Sequence, residues 1–300
     1  MLRLILSLFL FTSIAISSEG QRLSILFTGD VMLDRGVRRQ IEKRGADDLF
    51  SSVAPLFRSV DATVINLEMP ITSRKTPLRK KFIFRGEPGW TATLRRAGIT
   101  HAAMANNHTN DQGYKGLEDT ARHLRDEGIT PLGYGLTSEE RVAPTLITKS
   151  GITVALFNSV TIPLEHWFQT EGRPGVCQHS PKELAKAIKG HKASHPHHHI
   201  VVILHWGQEY SPTPSLHQRH GARILTQAGA DIIVGHHPHV IQSAEKIGEK
   251  YVYYSIGNFV FDQKGERESE ALILRLDFTT RSVSPTTYNV KITDCRPDLR

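Results

Sequence analysis

Only two cysteines occur in 300 residues, so neither a disulfide framework nor a thiolate metal cluster can be built. Cys177 and Cys295 make one disulfide or remain two free thiols, and no catalytic role is assigned to either. After the N-terminus no apolar run reaches the roughly 20 residues that a membrane-spanning helix needs, so the rest of the chain reads as soluble. There is no internal repeat, which excludes a solenoid, and no long Pro/Ser-rich linker, which argues against separate domains. Aromatic platforms beside the basic residues are missing apart from two Phe, and no nucleic-acid-binding module is visible, so a nucleic-acid partner is not expected.

What is present starts with a basic balance. Lys plus Arg number 37 against 30 Asp plus Glu, a formal charge of +7, which draws anionic partners without identifying them. The first twenty residues, MLRLILSLFLFTSIAISSEG, place one Arg ahead of an apolar run and then small polar residues, the order of a secretory signal. Residues 1–18 are therefore expected to be a cleaved signal peptide, with an uncleaved anchor as the alternative. The chain is expected to be exported, periplasmic or extracellular, and to meet a membrane only if that segment is retained.

From Leu23 onward, short β-branched runs end in polar residues and alternate with amphipathic segments: LSILFTGD, ATVINLE, HAAMANNH, TVALFNS, IVVILHWG and DIIVGHH. Apolar runs of this length suit strands covered on both faces, as in an α/β sheet. Helices are expected from about Gly116 to Glu127 and around Leu216 to Ala228, the latter stopped by Gly229. Beyond Gly235 the segments VIQSAEKI, KYVYYSIG, EALILRLDF and TYNVKIT read as antiparallel strands without helices. One domain over 22–295 accounts for the pattern.

Polar residues stand where the apolar runs stop: Asp30, Glu68, Asn107 with His108, His205, and His237 with His239. In open α/β sheets the strand ends converge on one side, where ligands bind. A mixed set of carboxylate, amide and imidazole suits Mn, Zn or Fe better than Ca. Taken singly, Asp30 is as readily a turn residue, Glu68 a solvated carboxylate and His205 a hydrogen-bonded core histidine. The pair of imidazoles around Pro238 is the stronger signal, because the backbone positions both and core packing gains little from either.

Six blocks in this order resemble the bacterial capsule-synthesis CapA family, the poly-γ-glutamate type, itself similar to calcineurin-like metallophosphoesterases. They are FTGDVML (Phe27 to Leu33), VINLEMPIT (Val64 to Thr72), ANNHTNDQG (Ala105 to Gly113), LHWGQEY (Leu204 to Tyr210), GADIIVGHHPHVIQ (Gly229 to Gln242) and YSIGNFVFDQ (Tyr254 to Gln263). The resemblance implies a four-layer α/β/β/α sandwich. It also implies a divalent metal held by Asp30, Glu68, Asn107, His205, His237 and His239, with His108 and Asn107 as catalytic residues. In the related two-metal enzymes the Asp is followed two positions later by a His, whereas Val31 and Met32 follow Asp30 here. One tight site is therefore expected, with Asp34 or a water as the substitute ligand at the depleted position.

The segment RKTPLRKKFIFR, Arg74 to Arg85, carries six cations and no acid. Arg79, Lys80, Lys81 and Arg85 are expected to hold an anionic polymer or phosphoester substrate, with a solvated loop as the bland equivalent. A second histidine-rich stretch, His191, His195, His197, His198 and His199, could bind metal adventitiously, but it precedes the strand ending at His205 and reads as an exposed polar loop at the opposite edge. Trp206, Tyr210, Asn258 and Asp262 are expected to wall or support the site. The functional expectations are two: a metal-dependent hydrolase of phosphoester or related anionic cell-envelope bonds, or a non-catalytic metal-binding component of polymer export. Capsule or polymer synthesis machinery is the expected partner in either case.

Overall fold

The computed structural model describes residues 21–300; the expected signal segment lies outside the described residues. The strands are β1 Leu23–Val31, β2 Ala62–Leu67, β3 His101–Ala103, β4 Thr130–Leu132, β5 Tyr134–Gly135, β6 Thr145–Lys149, β7 Ile152–Val160 and β8 Gly175–Val176. They continue as β9 His199–His205, β10 Ile232–His236, β11 Ala244–Ile247, β12 Lys250–Tyr253, β13 Asn258–Val260, β14 Glu270–Phe278, β15 Val283–Thr293 and β16 Arg296–Leu299. Helices α1 to α7 span Arg35–Arg44, Ala54–Arg58, Trp90–Ala97, Gly113–Asp126, Ser138–Val142, Pro181–Ser194 and Leu216–Ala228. None of the helices among the described residues is long and apolar enough to cross a membrane.

Two large sheets form, one ordered β16-β15-β14-β1-β2-β3-β4 with β13 also against β1, the other β11-β12-β10-β9-β7-β6. Three apolar cores show how they stack. Leu23, Ile25 and Phe27 of one sheet meet Leu156, Val201, Ile203 and Val234 of the other, a sheet-on-sheet interior. On the outer face of the first sheet Leu26, Ile65 and Ala102 pack with Val37, Leu94, Leu117 and Leu124 from the helices. On the outer face of the second, Ala155, Val202 and Ile233 pack with Leu184, Ile188 and Leu225. The period of two along β1, Leu23 and Ile25 inward against Leu26 outward, makes both faces apolar and gives the four-layer α/β/β/α order expected.

Local chemistry fixes the connections. Ser180 and Ser215 each cap the helix that follows them, with Glu183 and Gln218 returning the bond, so α6 and α7 start where those hydroxyls stand. Gly229 takes φ of 116° and stops α7 as its residue type requires. The helix expected from Gly116 begins at Gly113, one turn earlier. The domain runs past 295, because Arg296–Leu299 pairs with Val290–Thr293. The C-terminal half is not purely antiparallel: β12 runs parallel to β10, and β13 parallel to β1. The cysteines are both free, Cys177 being buried.

Candidate metal centre

Asp30 enters the site through a break in β1. Register slips between Phe27 and Asp30, and the strand exchanges its alignment with β2 for one that also admits β13. Gly29 permits this: a Cβ there would stand 2.0 Å from the Gly257 carbonyl oxygen. Gly235 does the same beneath the histidine turn, 2.0 Å from the oxygen of Tyr254. His237 and His239 beyond it hold φ of 95° and 59°, left-handed conformations that residues with a Cβ seldom adopt, and this turn directs both rings into the cleft.

The Asp30 carboxylate is saturated with donors. Oδ1 accepts from Asn66 Nδ2 at 2.8 Å and lies 3.2 Å from His236 Nδ1, while Oδ2 lies 3.2 Å from His239 Nδ1. Burial alone would raise its pKa, but the bonds and charges of His236 and His239 outweigh burial and hold it well below the usual carboxylate range. Glu68 is as buried and has nothing: neither carboxylate oxygen has a hydrogen-bond partner. Its nearest bases are His239 Nε2 at 3.7 Å and His205 Nε2 at 4.0 Å, both from Oε1. Burial pushes the Glu68 carboxyl well above its ordinary value.

His205 ends β9 with Nδ1 3.2 Å from the Asn66 amide and Nε2 2.8 Å from Asn107 Oδ1. Two cis ligands at metal bonds of about 2.1 Å would stand about 3 Å apart, so this spacing fits a shared ion. Ligand atoms of Asp30, Glu68 and His205 lie within 4.8 Å of one another, all three residues buried. A second trio, Glu209, His237 and His239, gathers its ligand atoms as closely, with Glu209 exposed. The Nδ1 of His237 is buried without a partner, and burial lowers its pKa to about 4. His239 moves the other way. Burial opposes its charge, yet Glu68 and Asp30 raise it to about 9. The orphaned Glu68 oxygens, gathered with Asp30 and His205, fit a divalent cation that would satisfy them, and the unpartnered His237 Nδ1 is a further buried donor in the adjoining trio.

His108 stands beside this cluster. Its Nδ1 is 2.8 Å from Asp111 Oδ2, and its backbone N–H donates to Asn106 Oδ1. Burial lowers its pKa and Asp111 only partly opposes that, so the ring is neutral near pH 7. Phe84 packs on the ring, centroids 4.1 Å apart.

The expected residues Asp30, Glu68, Asn107, His108, His205, His237 and His239 all come together. The substrate-binding expectation divides. Arg79 and Lys81 are exposed. Lys80 is 3% exposed, its ammonium 2.5 Å from Asp111 Oδ1 and 2.6 Å from the Asn107 carbonyl, so it braces the Asn107–Asp111 turn instead of facing solvent. Arg85 donates to the Thr72 carbonyl and to Glu87. Asp34 supplies no ligand, because it caps α1 and accepts from Arg38 and the Arg85 amide. Met32 packs in the helix-side core, its sulfur accepting the Asp34 N–H. Asn258 does support the site, with Oδ1 2.9 Å from His239 Nδ1. Trp206 is a packing residue bonded to the Tyr254 carbonyl, and Asp262 pairs with Arg35. Sequence reasoning missed Asn66, His236, Glu209 and Asp111. Asn66 stands two positions before Glu68, the spacing that puts both on one face of a strand, and that was the available signal.

The family model "Bacterial capsule synthesis protein PGA_cap" matches residues 24–263. PGA biosynthesis protein CapA of Bacillus subtilis is 34% identical over 257 residues, covering 84% of this chain and 67% of that protein. Capsule biosynthesis protein CapA of Bacillus anthracis is 31% identical over 265 residues, covering 86% of this chain and 64% of that one. The chain thus spans about two thirds of the length of these relatives. Among solved structures, the Haemophilus influenzae NAD nucleotidase aligns with a TM-score of 0.54 at 12% identity, over 88% of this chain and 49% of that chain. A 5'-nucleotidase precursor from Thermus thermophilus aligns with a TM-score of 0.50 at 14% identity, over 89% and 54%. At these identities the shared feature is the fold alone. By the extent of the family match and the identity to both CapA proteins, the chain belongs to the bacterial capsule synthesis protein PGA_cap family.

Proposed function

We propose that this protein is an exported, metal-dependent hydrolase of phosphoester or related anionic bonds in the cell envelope, acting in capsule or poly-γ-glutamate production. The observation that carries the reading is Glu68, whose two buried oxygens lack any partner beside Asp30 and His205. Glu68, Asn107, His205 and His237 would hold one tight ion, with Asp30 and His239 adjoining it. Glu209 offers a weaker, exposed position beside His237 and His239. A divalent ion here supplies a lowered pKa for water and positive charge opposite developing phosphoryl oxygens.

The chain's own groups supply the rest. Asp111 accepts from Nδ1 of His108, fixing the tautomer and leaving Nε2 to handle a proton at the departing oxygen. Lys80 holds Asp111 in place through its 2.5 Å ion pair. An anionic substrate approaching the ring raises its proton affinity, which makes His108 an acid when one is needed. Phe84 and the walls around His108 keep the imidazole out of bulk water.

Metal analysis combined with a phosphomonoester and phosphodiester screen tests the reading. His205→Ala should lose both the tight ion and turnover. His108→Ala should keep the ion and lower kcat by 10²-fold or more, with about 10²–10⁴ as the usual contribution of a positioned acid or base. A loaded wild-type protein that cleaves no ester would instead favour the non-catalytic, metal-binding component of polymer export, a reading supported by the apolar burial of Met32 where related enzymes place a ligand.

A further inference from the structure

Three histidines meet at the end of α6. His191 lies in its last turn, His195 is its C-cap, and His198 follows three residues later. One ring nitrogen from each lies within 4.8 Å of the others. His191 Nε2 and His198 Nδ1 are 3.1 Å apart, and ring centroids of His195 stand 4.7 Å from both partners. The stretch expected to be an open polar loop is therefore partly gathered, although it does occupy the edge opposite Asp30. Strand β9 separates the two places, entering at His199 and ending at His205, roughly 20 Å of extended chain.

The backbone holds the three close together. His195 N–H donates to the His191 carbonyl at 2.8 Å, His198 N–H to the His195 carbonyl at 3.2 Å, and Lys192 Nζ to the His198 carbonyl at 2.5 Å. His191 also packs edge-on against buried Phe157, ring centroids 5.9 Å apart, while the helix otherwise buries Leu184, Ala185 and Ile188, so His195 and His198 are not needed for its packing. Burial and neighbouring positive charge hold His191 and His198 below the ordinary imidazole value, so both rings favour the neutral form that can ligate an ion, which would replace the hydrogen bond they share.

We propose that His191, His195 and His198 form a second metal site, separate from the Asp30 cleft, which takes a zinc, nickel or copper ion and pins the end of α6 to the turn entering β9. Three nitrogen donors without a carboxylate select such imidazole-preferring ions over magnesium or calcium. Zinc–nitrogen bonds of about 2.0–2.1 Å put tetrahedral ligands about 3.3–3.4 Å apart, and the His191–His198 pair is already near that separation. His195 is exposed, so its ring turns toward the ion without breaking any core contact. The fourth position is open to water or to an external donor.

The test uses untagged protein equilibrated with zinc, desalted and analysed for zinc per chain. His195→Ala and His198→Ala should each retain one ion fewer than wild type, and His197→Ala, exposed and outside the cluster, should match wild type. Because all variants keep the Asp30 cleft, its ions cancel in the comparison. Zinc should also slow amide exchange across residues 190–198 in wild type but not in His195→Ala. Equal zinc in wild type and His195→Ala, an equal loss in His197→Ala, or exchange that ignores zinc would overturn the site.

Discussion

Asp30 and Glu68 share one buried cleft, yet Asp30 is ringed by donors and Glu68 by none. A buried carboxylate without a partner costs several kcal/mol if charged, so the metal-free protein keeps Glu68 protonated or strains to accommodate it. Glu68→Gln retains the shape and removes the charge. Chelator-treated Glu68→Gln should melt at or above chelator-treated wild type, whereas added manganese or zinc should raise the melting temperature of wild type alone. Equal metal-induced stabilisation in both proteins would remove Glu68 from the ligand set. At this scale the sequence displayed the ligand types but not their phase. His236 and His237 are adjacent, so only the strand's twist into the turn decides that His236 meets Asp30 while His237 keeps an unpartnered nitrogen. Glu209, four residues after His205, comes to His237 and His239 through the Tyr210 turn, whose φ of 62° no residue pattern announces.

Elements were legible where one chemistry decided them. The apolar runs of β1, β2, β9 and β10 and the Gly229 stop of α7 follow from burial and backbone freedom within the segment itself. The direction of β12 and β13 did not, because a short strand reads the same in either orientation and its partner, β10 or β1, is chosen by distant packing. The β1 break depends on Gly29, so Gly29→Ala should cost about 1–3 kcal/mol and reduce metal retention together, as overpacking against the Gly257 carbonyl moves Asp30. Unfolding in urea and elemental analysis of the same sample check it; loss of stability with full metal retention would uncouple the two. At the start of β3, burial lowers His101 to about 4. Between its ordinary value near 6.5 and about 4, the unfolded chain takes up a proton that the folded chain refuses, so stability falls as pH falls through that window and the loss levels off below it. His101→Gln should flatten this slope by up to about 1.4 kcal/mol per pH unit relative to wild type. Urea titrations at pH 7, 5.5 and 4.5 would read it, and identical slopes would leave His101 without a part in the acid response.

For the whole molecule, the parallel strands β1 and β2 of one sheet and β9 and β10 of the other bring their C-terminal ends to one rim, where Asp30, Glu68, His205 and His236 meet. Leu78 N–H bonds the Asp111 carbonyl and Phe84 N–H bonds the Asp111 carboxylate, so the basic loop is tied at both ends to the residue that holds His108, and Phe84 packs on the His108 ring. Under the proposed function the chain's charge of +7 would give a diffuse attraction for an acidic polymer, and the exposed Arg79 and Lys81 would add to it. Lys80, buried against Asp111, takes no part in that attraction. Its buried pair with Asp111 makes Lys80→Met a structural lesion that would loosen His108, so a triple neutralisation would confuse binding with collapse of the site. Arg79→Gln with Lys81→Gln leaves the brace intact. This double variant should bind poly-γ-glutamate severalfold more weakly than wild type at 20 mM salt, order of magnitude set by two screened charges, and about equally at roughly 0.5 M, where the Debye length is about 4 Å. Its melting temperature should match wild type, since both side chains are exposed. Affinity measured by light scattering or sedimentation at the two ionic strengths decides the matter: a difference that persists at high salt would point to direct, desolvated contacts, and no difference at low salt would leave residues 79 and 81 as a solvated surface with no part in holding the polymer.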